Sequence, residues 1–311
     1  MNRKAFKIML KGKLLRQKNF SLNDSIFIIS SPRGGSTWLG EIFSAIPNTI
    51  INWEPFHPVH GVLPKDFNGG DAIFIPEEET SKEMEISIMD ILNFKKYTNF
   101  TLSFSSLKKV VKSKIVITKS VRTTCLIPWI VKHVPLVRKP VYLLRHPVAI
   151  SFSHLKAFDN MELPMQKYVV PEMINNERFI IHKAYLKSLN SKIERQVAFW
   201  CLNNIEVINH PDHGKKWIVA FYENLVLDPE NETKKIFDAL NLSIDPDFIK
   251  KINFQKPSQT DMKQDFIKNG MKQLEKWKGW LSKEEKEKIQ DIFDYFGLEL
   301  YSAFEVLPKV H

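Results

Sequence analysis

The stretch over residues 25–38 constrains the fold of this chain more than any other part of it. Ser25–Ser30 is a short run of isoleucine and phenylalanine between serines, which is typical of a buried strand. A Pro-Arg-Gly-Gly turn interrupts the run, and apolar residues then recur at helical spacing over residues 36–45. A strand, a glycine loop and a helix in this order gather backbone N–H groups and a helix N-terminus around one point. We therefore predict an anion-binding cradle at residues 31–38.

Strand and helix patterns alternate along the rest of the chain. Further strands are predicted at residues 49–53, 114–118, 140–144 and 217–221. Helices are predicted between them at residues 123–133, 148–155 and 192–208. Such repeated units favour an α/β fold with a doubly wound parallel sheet, helices on both faces and ligands at the carboxyl ends of the strands. In this fold the glycine loop would be a P-loop-like phosphate-binding loop.

The domain organisation follows from where this alternation begins and where it is interrupted. We expect residues 25–311 to form one domain, preceded by a basic N-terminal extension at residues 1–24. Residues 65–112 and 158–187 fit the alternation poorly, and we interpret them as insertions that either shape an acceptor site or decorate the surface. Past the sheet, Asp228-Pro229 and a capping box that starts at Ser282 predict two more helices.

Composition limits the partners and the compartment. The formal net charge of +10 indicates anionic partners, which include nucleotides, phosphorylated or sulfated substrates, nucleic acid and acidic membrane surfaces. The two cysteines, Cys125 and Cys201, predict neither a disulfide framework nor a zinc site. Because no apolar run is long enough to cross a bilayer, we expect a cytoplasmic protein with at most peripheral membrane contact.

The loop sequence Pro-Arg-Gly-Gly-Ser-Thr-Trp at residues 32–38 resembles the 5′-phosphosulfate loop of sulfotransferases that use 3′-phosphoadenosine-5′-phosphosulfate (PAPS). A nucleoside-triphosphate P-loop would instead carry a lysine directly before the Ser or Thr that holds magnesium. The resemblance implies that Arg33 neutralises the oxygen that joins the 5′-phosphate to the sulfuryl group, as this oxygen leaves. It also implies that Trp38 packs near the adenine. The cofactor-binding residues that it implies in this loop are Arg33, Gly34, Gly35, Ser36, Thr37 and Trp38.

A second motif, at residues 141–153, resembles the 3′-phosphate-binding segment of the same family. It is a strand that ends in arginine, followed by a helix with a serine eight positions after that arginine. The arginine offers forked donors to a phosphate, and the serine can add a hydroxyl bond. The resemblance implies that Arg145 and Ser153 bind the 3′-phosphate, with Ser151 as the alternative to Ser153.

Two later residues fit the same family less specifically. Tyr222 ends the last predicted strand and either lies against the adenine or packs as an ordinary strand-end residue. Lys268 lies in a basic stretch similar to one that touches the 3′-phosphate. The resemblance extends over most of residues 25–301, but only the two phosphate motifs make it specific.

Sulfuryl transfer needs a base that faces the loop, because the acceptor oxygen loses its proton as it attacks. The small-molecule branch of the family uses a histidine after a middle strand, where this chain has Lys119-Ser-Val instead. The carbohydrate-modifying branch has a glutamate in a Glu-Pro-aromatic-His setting, which this chain matches from Glu54 to His57. We predict Glu54 as the general base, with His57 as a rival base or an orienting residue. Lys119 and Arg122 are candidates for binding the sulfate or an anionic acceptor.

The predicted activity is a PAPS-dependent sulfotransfer to an acceptor hydroxyl by in-line displacement, with PAPS as co-substrate and no metal. The resemblance to the carbohydrate-modifying branch implies a carbohydrate or another alcohol as acceptor, such as a glycan or glycolipid, and no nucleic acid is expected. Two alternatives stay open at this point. One is a P-loop kinase that uses ATP and magnesium, and the other is a non-enzymatic module that binds polyanions.

Overall fold

The structure is a computed structural model of the chain, and it describes residues 3–63, 73–158, 180–254 and 269–309. Within these residues, five parallel strands form one sheet in the order β2-β3-β1-β4-β5. They are β1 (Ser25–Ser30), β2 (Thr49–Trp53), β3 (Ile115–Ser120), β4 (Val141–Leu144) and β5 (Ile218–Phe221). Each lies within two residues of a predicted strand, which confirms the predicted parallel sheet.

The described helices surround this sheet. They are α1 (Arg3–Arg16), α2 (Ser36–Phe43), α3 (Lys82–Leu92), α4 (Leu107–Lys112), α5 (Ile127–His133), α6 (Pro147–Phe158), α7 (Lys183–Ser188), α8 (Lys192–Ile208), α9 (Tyr222–Leu227), α10 (Pro229–Ala239), α11 (Pro246–Lys250), α12 (Gly270–Glu275) and α13 (Lys283–Phe296). The helices predicted from apolar spacing and from the caps at Asp228 and Ser282 are all present.

Helices cover both faces of the sheet, as predicted. After β1 the chain passes over β3 to reach β2, whereas after β4 it moves the other way to β5. Right-handed crossovers therefore place α2 on one face and α8 on the other. On the α2 face, the rings of Phe43 and Phe237 meet edge to face with centroids 5.0 Å apart, which joins α2 to α10.

The crevice between β1 and β4 is the point where the winding direction reverses. These two strands are neighbours, with Ile28 opposite Val141 and Ser30 opposite Leu143. Ligands of such sheets bind outside the carboxyl ends of the strands at this reversal. The loops that leave β1 and β4 here carry the two predicted phosphate motifs.

The segment predicted as an N-terminal extension forms α1, which packs beside the edge strand β2. Leu15 and Phe20 join a small second core with Ile50 of β2 and Val110 of α4. The predicted insertion at 65–112 contains α3 and α4, which also bury side chains against the sheet. Parts of both predicted insertions, and Lys268, lie outside the described residues, and the domain boundaries stay predictions. Within the described chain, no helix is both long and apolar enough to cross a membrane.

Candidate functional site

The glycine loop between β1 and α2 is a tight cradle that only glycine can build at two positions. Gly35 has a φ of 95°, and a Cβ added there would overlap the ring of Tyr222. A Cβ added to Gly34 would overlap the hydroxyl of Ser30. Arg33, directly before them, also adopts a positive φ of 65°. The backbone thus makes a sharp turn where β1 ends.

The N-terminus of α2 opens into this loop. Gly35 is the N-cap residue, and Ser36 and Thr37 form the first helical positions with buried side chains. The first N–H groups of a helix have no partner within the helix, and the helix dipole adds partial positive charge. The loop and the helix start therefore offer donors to an anion, as the sequence predicts.

The structure brings the two phosphate motifs together. The Arg145 guanidinium donates from Nη1 to the Arg33 carbonyl oxygen at 2.9 Å, and the Arg33 side chain donates from Nε to Ser153 Oγ at 3.0 Å. Arg145 Nε is buried and has no hydrogen-bond partner among the described residues. A buried cationic donor of this kind is costly unless a ligand pairs with it.

A pocket of about 290 Å³ opens beside these residues. Its cationic and polar lining consists of Arg33, Arg145, Ser153, Lys156, Gln273 and Lys276. Its aromatic lining consists of Phe152, Tyr222, Trp277 and Trp280. Cations beside aromatic walls suit a phosphorylated nucleoside, because the cations pair with phosphate and the rings pack against a base.

The pocket favours Ser153 over Ser151 as the serine of the second motif. Ser153 lines the pocket and contacts Arg33, whereas Ser151 is buried and does not line it. The contact also places the Arg33 side chain on the Arg145 side of the loop. The role of Arg33 at the leaving oxygen, which the resemblance implies, stays a prediction.

Tyr222 connects the loop, the pocket and the second motif. The Arg145 guanidinium lies 4.2 Å from the centre of its ring, and the Trp38 ring meets it edge-on with centroids 5.8 Å apart. Its ring also fills the space beside Gly35. Tyr222 is thus both a packing residue and part of the pocket wall, and its contact with the adenine stays a prediction.

Glu54 lies at the end of β2 in a cluster of cations. Its side chain is buried, and its φ of 44° is unusual for a residue other than glycine. Oε1 pairs with Lys119 Nζ. Oε2 accepts the Val121 N–H at 3.1 Å and lies 3.6 Å from Arg122 Nη1. A carboxylate has about four acceptor positions. Among the described residues, the two hydrogen bonds from Lys119 and Val121 and the ion pair with Arg122 take three of them and leave one for another donor.

The His57 ring accepts hydrogen bonds from the backbone of its own loop. Its Nδ1 accepts the backbone N–H groups of Val59 and His60, each at 3.1 Å, so the neutral ring carries its proton on Nε2. The ring stacks on His60 at 4.8 Å and meets Phe100 edge-on at 5.2 Å. To act as a base, His57 would have to give up these loop bonds, and this geometry favours Glu54.

A family model described as the sulfotransferase family matches residues 25–246, which is more than half of the chain. The chain belongs to the sulfotransferase family. This membership supports sulfuryl transfer in place of the kinase and of the polyanion-binding module.

Three solved structures that are similar to this sulfotransferase are themselves sulfotransferases or sulfotransferase domains. A mouse sulfotransferase complexed with PAP is 15% identical, covers 94% of this chain and 90% of its own, and has a TM-score of 0.43. The sulfotransferase domain of the Synechococcus PCC 7002 olefin synthase is 15% identical, with coverages of 89% and 95% and a TM-score of 0.43. The sulfotransferase domain of the curacin biosynthetic pathway is 20% identical, with coverages of 89% and 98% and a TM-score of 0.42. No curated protein sequence matches the chain significantly.

Two buried polar groups behind the site of this sulfotransferase were not predicted from the sequence. His146 donates its backbone N–H to Glu223 Oε1 at 2.8 Å, and its Nδ1 accepts the Val148 N–H at 3.2 Å. Its Nε2 therefore carries the proton and donates to the Ser302 carbonyl at 3.0 Å. Burial lowers the pKa of His146 to about 4 and raises the pKa of Glu223. The ring stacks on Trp277 at 4.5 Å and so supports the pocket wall.

Asn204 of α8 is a second support that sequence reasoning missed. Its Oδ1 accepts hydrogen bonds from Tyr142 OH at 2.6 Å and from Ser31 Oγ at 3.2 Å. Burial raises the pKa of Tyr142, which keeps this phenol a donor. The residue that follows β1 and the second residue of β4 are thereby linked to α8. His146 and Glu223 adjoin predicted site residues in the sequence, but no pattern marks Asn204.

Among the described residues, no three His, Cys, Asp or Glu side chains are grouped so that they could hold a metal ion.

Proposed function

We propose that this sulfotransferase takes its sulfuryl group from PAPS and transfers it to a hydroxyl of a carbohydrate or another alcohol. The observation that carries the proposal is the meeting of Arg33, Arg145 and Ser153 in one aromatic-walled pocket beside the glycine loop. PAPS, when bound, supplies a sulfuryl group activated by its bond to phosphate.

The residues present fit the two anionic ends of this donor. Arg145 and Ser153 would hold the 3′-phosphate. The Nε of Arg145 has no hydrogen-bond partner among the described residues, and such a phosphate would satisfy it. Arg33 contacts Ser153, which supports placing it beside these two residues, and its role at the leaving oxygen stays a prediction. Donors for the 5′-phosphate come from the cradle, which consists of Gly34, Gly35, Ser36 and Thr37. Tyr222 supplies aromatic surface for the adenine in the pocket wall, whereas Trp38 does not line this pocket and packs against Tyr222.

In this proposal Glu54 accepts the proton of the acceptor hydroxyl. Its burial at the carboxyl edge of the sheet and its remaining acceptor position support this role. Lys119 pairs with the carboxylate and holds it in place, and in this proposal its positive charge also helps to bind the sulfuryl group. Arg122, at 3.6 Å, pairs loosely enough with Oε2 for an incoming hydroxyl to take its place.

A cluster of aromatic side chains around the segment after Glu54 supports a sugar hydroxyl as the acceptor. His57 and His60 follow Glu54 within six residues, and Phe100 packs against both of their rings. Of the three, His60 is exposed. Aromatic faces pack against the apolar faces of sugar rings while leaving their hydroxyls free. The cytoplasmic location stays a prediction from the sequence.

The first test of this function is PAP release from PAPS in the presence of a panel of acceptors. The panel contains alkyl glycosides, an oligosaccharide, a glycolipid and a phenol, and we expect release with a sugar hydroxyl but not with the phenol. Glu54→Gln keeps the shape of the side chain but cannot take the proton. It should lower kcat by about 10²- to 10⁴-fold while leaving the KM for PAPS nearly unchanged.

His57→Gln is the matched control, because it removes the rival base and keeps an acceptor for the loop N–H groups. We expect it to lower kcat by less than about tenfold. Turnover of Glu54→Gln at the rate of the wild type would contradict the proposed base, and a strict preference for the phenol would contradict the proposed acceptor.

A further inference from the structure

Helix α1 turns a face to solvent that is both apolar and basic. Phe6 is 47% exposed and Met9 is 52% exposed, although large apolar side chains are usually buried. Lys13 and Arg16 are exposed on the same side of the helix, since residues 6, 9, 13 and 16 follow the three- and four-residue spacing of one helical face. This face therefore combines side chains that avoid water with side chains that carry charge.

The opposite face of α1 is fixed to the protein, so the exposure of Phe6 and Met9 is built into the fold. Leu15 is buried in the second core. The Tyr97 hydroxyl donates to the Gly12 carbonyl at 3.0 Å, and Lys18 Nζ, just past the helix, donates to the Val111 carbonyl at 2.6 Å. The helix thus lies along the edge of the sheet beside β2 and α4.

Two acid-free parts of the sequence meet at this edge. Residues 1–23 contain seven Lys or Arg and no Asp or Glu, and residues 91–158 contain thirteen Lys or Arg and no Asp or Glu. Helix α4 belongs to the second part and packs on α1. It exposes Lys108 and Lys112, together with Val111, which is 52% exposed. The nearest acidic residue in the sequence before α4, Asp90, already pairs with Lys95 and Lys96.

We propose that α1 and the outer side of α4 form a docking face for the surface of an anionic lipid bilayer. The lysines and arginines would lie at the charged headgroups, while Phe6, Met9 and Val111 would enter the boundary between headgroups and acyl chains. A nucleic acid or an acidic glycan would be held by the cations alone and would leave the three apolar side chains without a partner. The apolar side chains are therefore what favours a bilayer over a soluble polyanion.

Vesicle sedimentation with the full chain tests this proposal. The probes are vesicles of phosphatidylcholine alone and vesicles in which about a third of the lipid is phosphatidylserine. We expect the wild type to sediment with the anionic vesicles only, and to be released at high salt. Lys13→Glu with Arg16→Glu should weaken this binding by at least about tenfold, since each cation near such a surface contributes about a fivefold effect.

A second pair of variants separates the bilayer from a polyanion. Phe6→Ser with Met9→Ser should weaken vesicle binding by at least about fivefold but leave retention on a heparin column unchanged. Lys234→Glu with Lys235→Glu makes the same charge change on the exposed side of α10 and should change vesicle binding by less than about twofold. Thermal unfolding of each variant shows whether it is folded.

The proposal fails if the folded wild type stays in solution with anionic vesicles. It also fails if the Phe6 and Met9 variant binds vesicles as tightly as the wild type, because the face would then be a site for polyanions. Neither result depends on the sulfotransfer reaction, so this test is independent of the proposed donor and acceptor.

Discussion

At Gly35 two constraints on one residue coincide. Its φ of 95° is a conformation that side chains other than glycine rarely adopt, and the Tyr222 ring occupies the place of a Cβ. The added methyl group in Gly35→Ala must therefore displace either the loop or the Tyr222 ring, which the Arg145 guanidinium contacts. We expect it to destabilise the fold by about 1–2 kcal/mol and to weaken PAP binding by at least about tenfold. Urea unfolding and calorimetric titration with PAP measure the two effects.

Two other glycines separate the causes of this effect. Gly214 also has a positive φ, of 71°, but a Cβ there would meet open space, and Gly279 has neither constraint. Gly214→Ala should therefore show the strain alone and Gly279→Ala should show neither effect, with PAP binding intact in both. Wild-type affinity for PAP in a folded Gly35→Ala variant would show that the cradle does not bind this ligand.

Single residues could be predicted from the sequence where a short motif carries them. Arg33, Arg145 and Ser153 come from such motifs, and the structure brings all three together. Lys156 and Trp277 line the same pocket, but no local pattern distinguishes them from surface lysines and core tryptophans. Their position depends on how α6 and the segment after α12 pack, which is a property of the tertiary structure.

The elements were predictable where burial leaves a clear pattern. Strands buried on both faces read as continuous apolar runs, and each strand here matches its predicted position closely. Helix α1 was not predicted, because its charges are scattered among its apolar residues and do not form one polar side. Contacts with Tyr97, Leu102 and Val110 stabilise it instead, and these residues are distant in the sequence.

The connection between β4 and the C-terminal segment predicts a dependence of stability on pH. Burial lowers the pKa of His146 to about 4 in the folded chain, from an ordinary value near 6.5. The unfolded chain therefore takes up a proton as the pH falls below 6.5, while the folded chain does not do so until near pH 4. The contribution of His146 to the free energy of unfolding is therefore present above pH 6.5 and is lost as the pH falls from 6.5 to 4.

We expect this contribution to fall by about 2 kcal/mol between pH 7 and pH 5. Burial raises the pKa of the neighbouring Glu223, which acts in the opposite direction, so the comparison needs a variant. His146→Gln keeps an amide donor for the Ser302 carbonyl but does not titrate. Urea unfolding at both pH values should show the wild type losing about 2 kcal/mol more than the variant. Equal losses would contradict the buried neutral histidine.

For the whole molecule, the order of strands and helices predicts the fold class correctly, but it does not give the order of strands within the sheet. That order, β2-β3-β1-β4-β5, is what makes β1 and β4 neighbours and joins the two phosphate motifs. The net charge of +10 likewise does not show where the basic surface lies, because only the fold brings the two acid-free segments together beside β2. The strand order and the meeting of the acid-free segments both arise from contacts between distant parts of the chain.

The central claim is that Arg145 and the loop after β1 together hold a nucleotide with a 3′-phosphate. Calorimetric titration of PAP into the wild type and into Arg145→Ala, each with and without magnesium, tests it most directly. Arg138→Ala is the control, because Arg138 is an arginine that bonds to the Asn23 carbonyl at the other end of the sheet. The account predicts binding that needs no magnesium, that falls by at least about tenfold in Arg145→Ala and that is unchanged in Arg138→Ala. Equal affinity of all three proteins for PAP, or binding that requires magnesium, would contradict it.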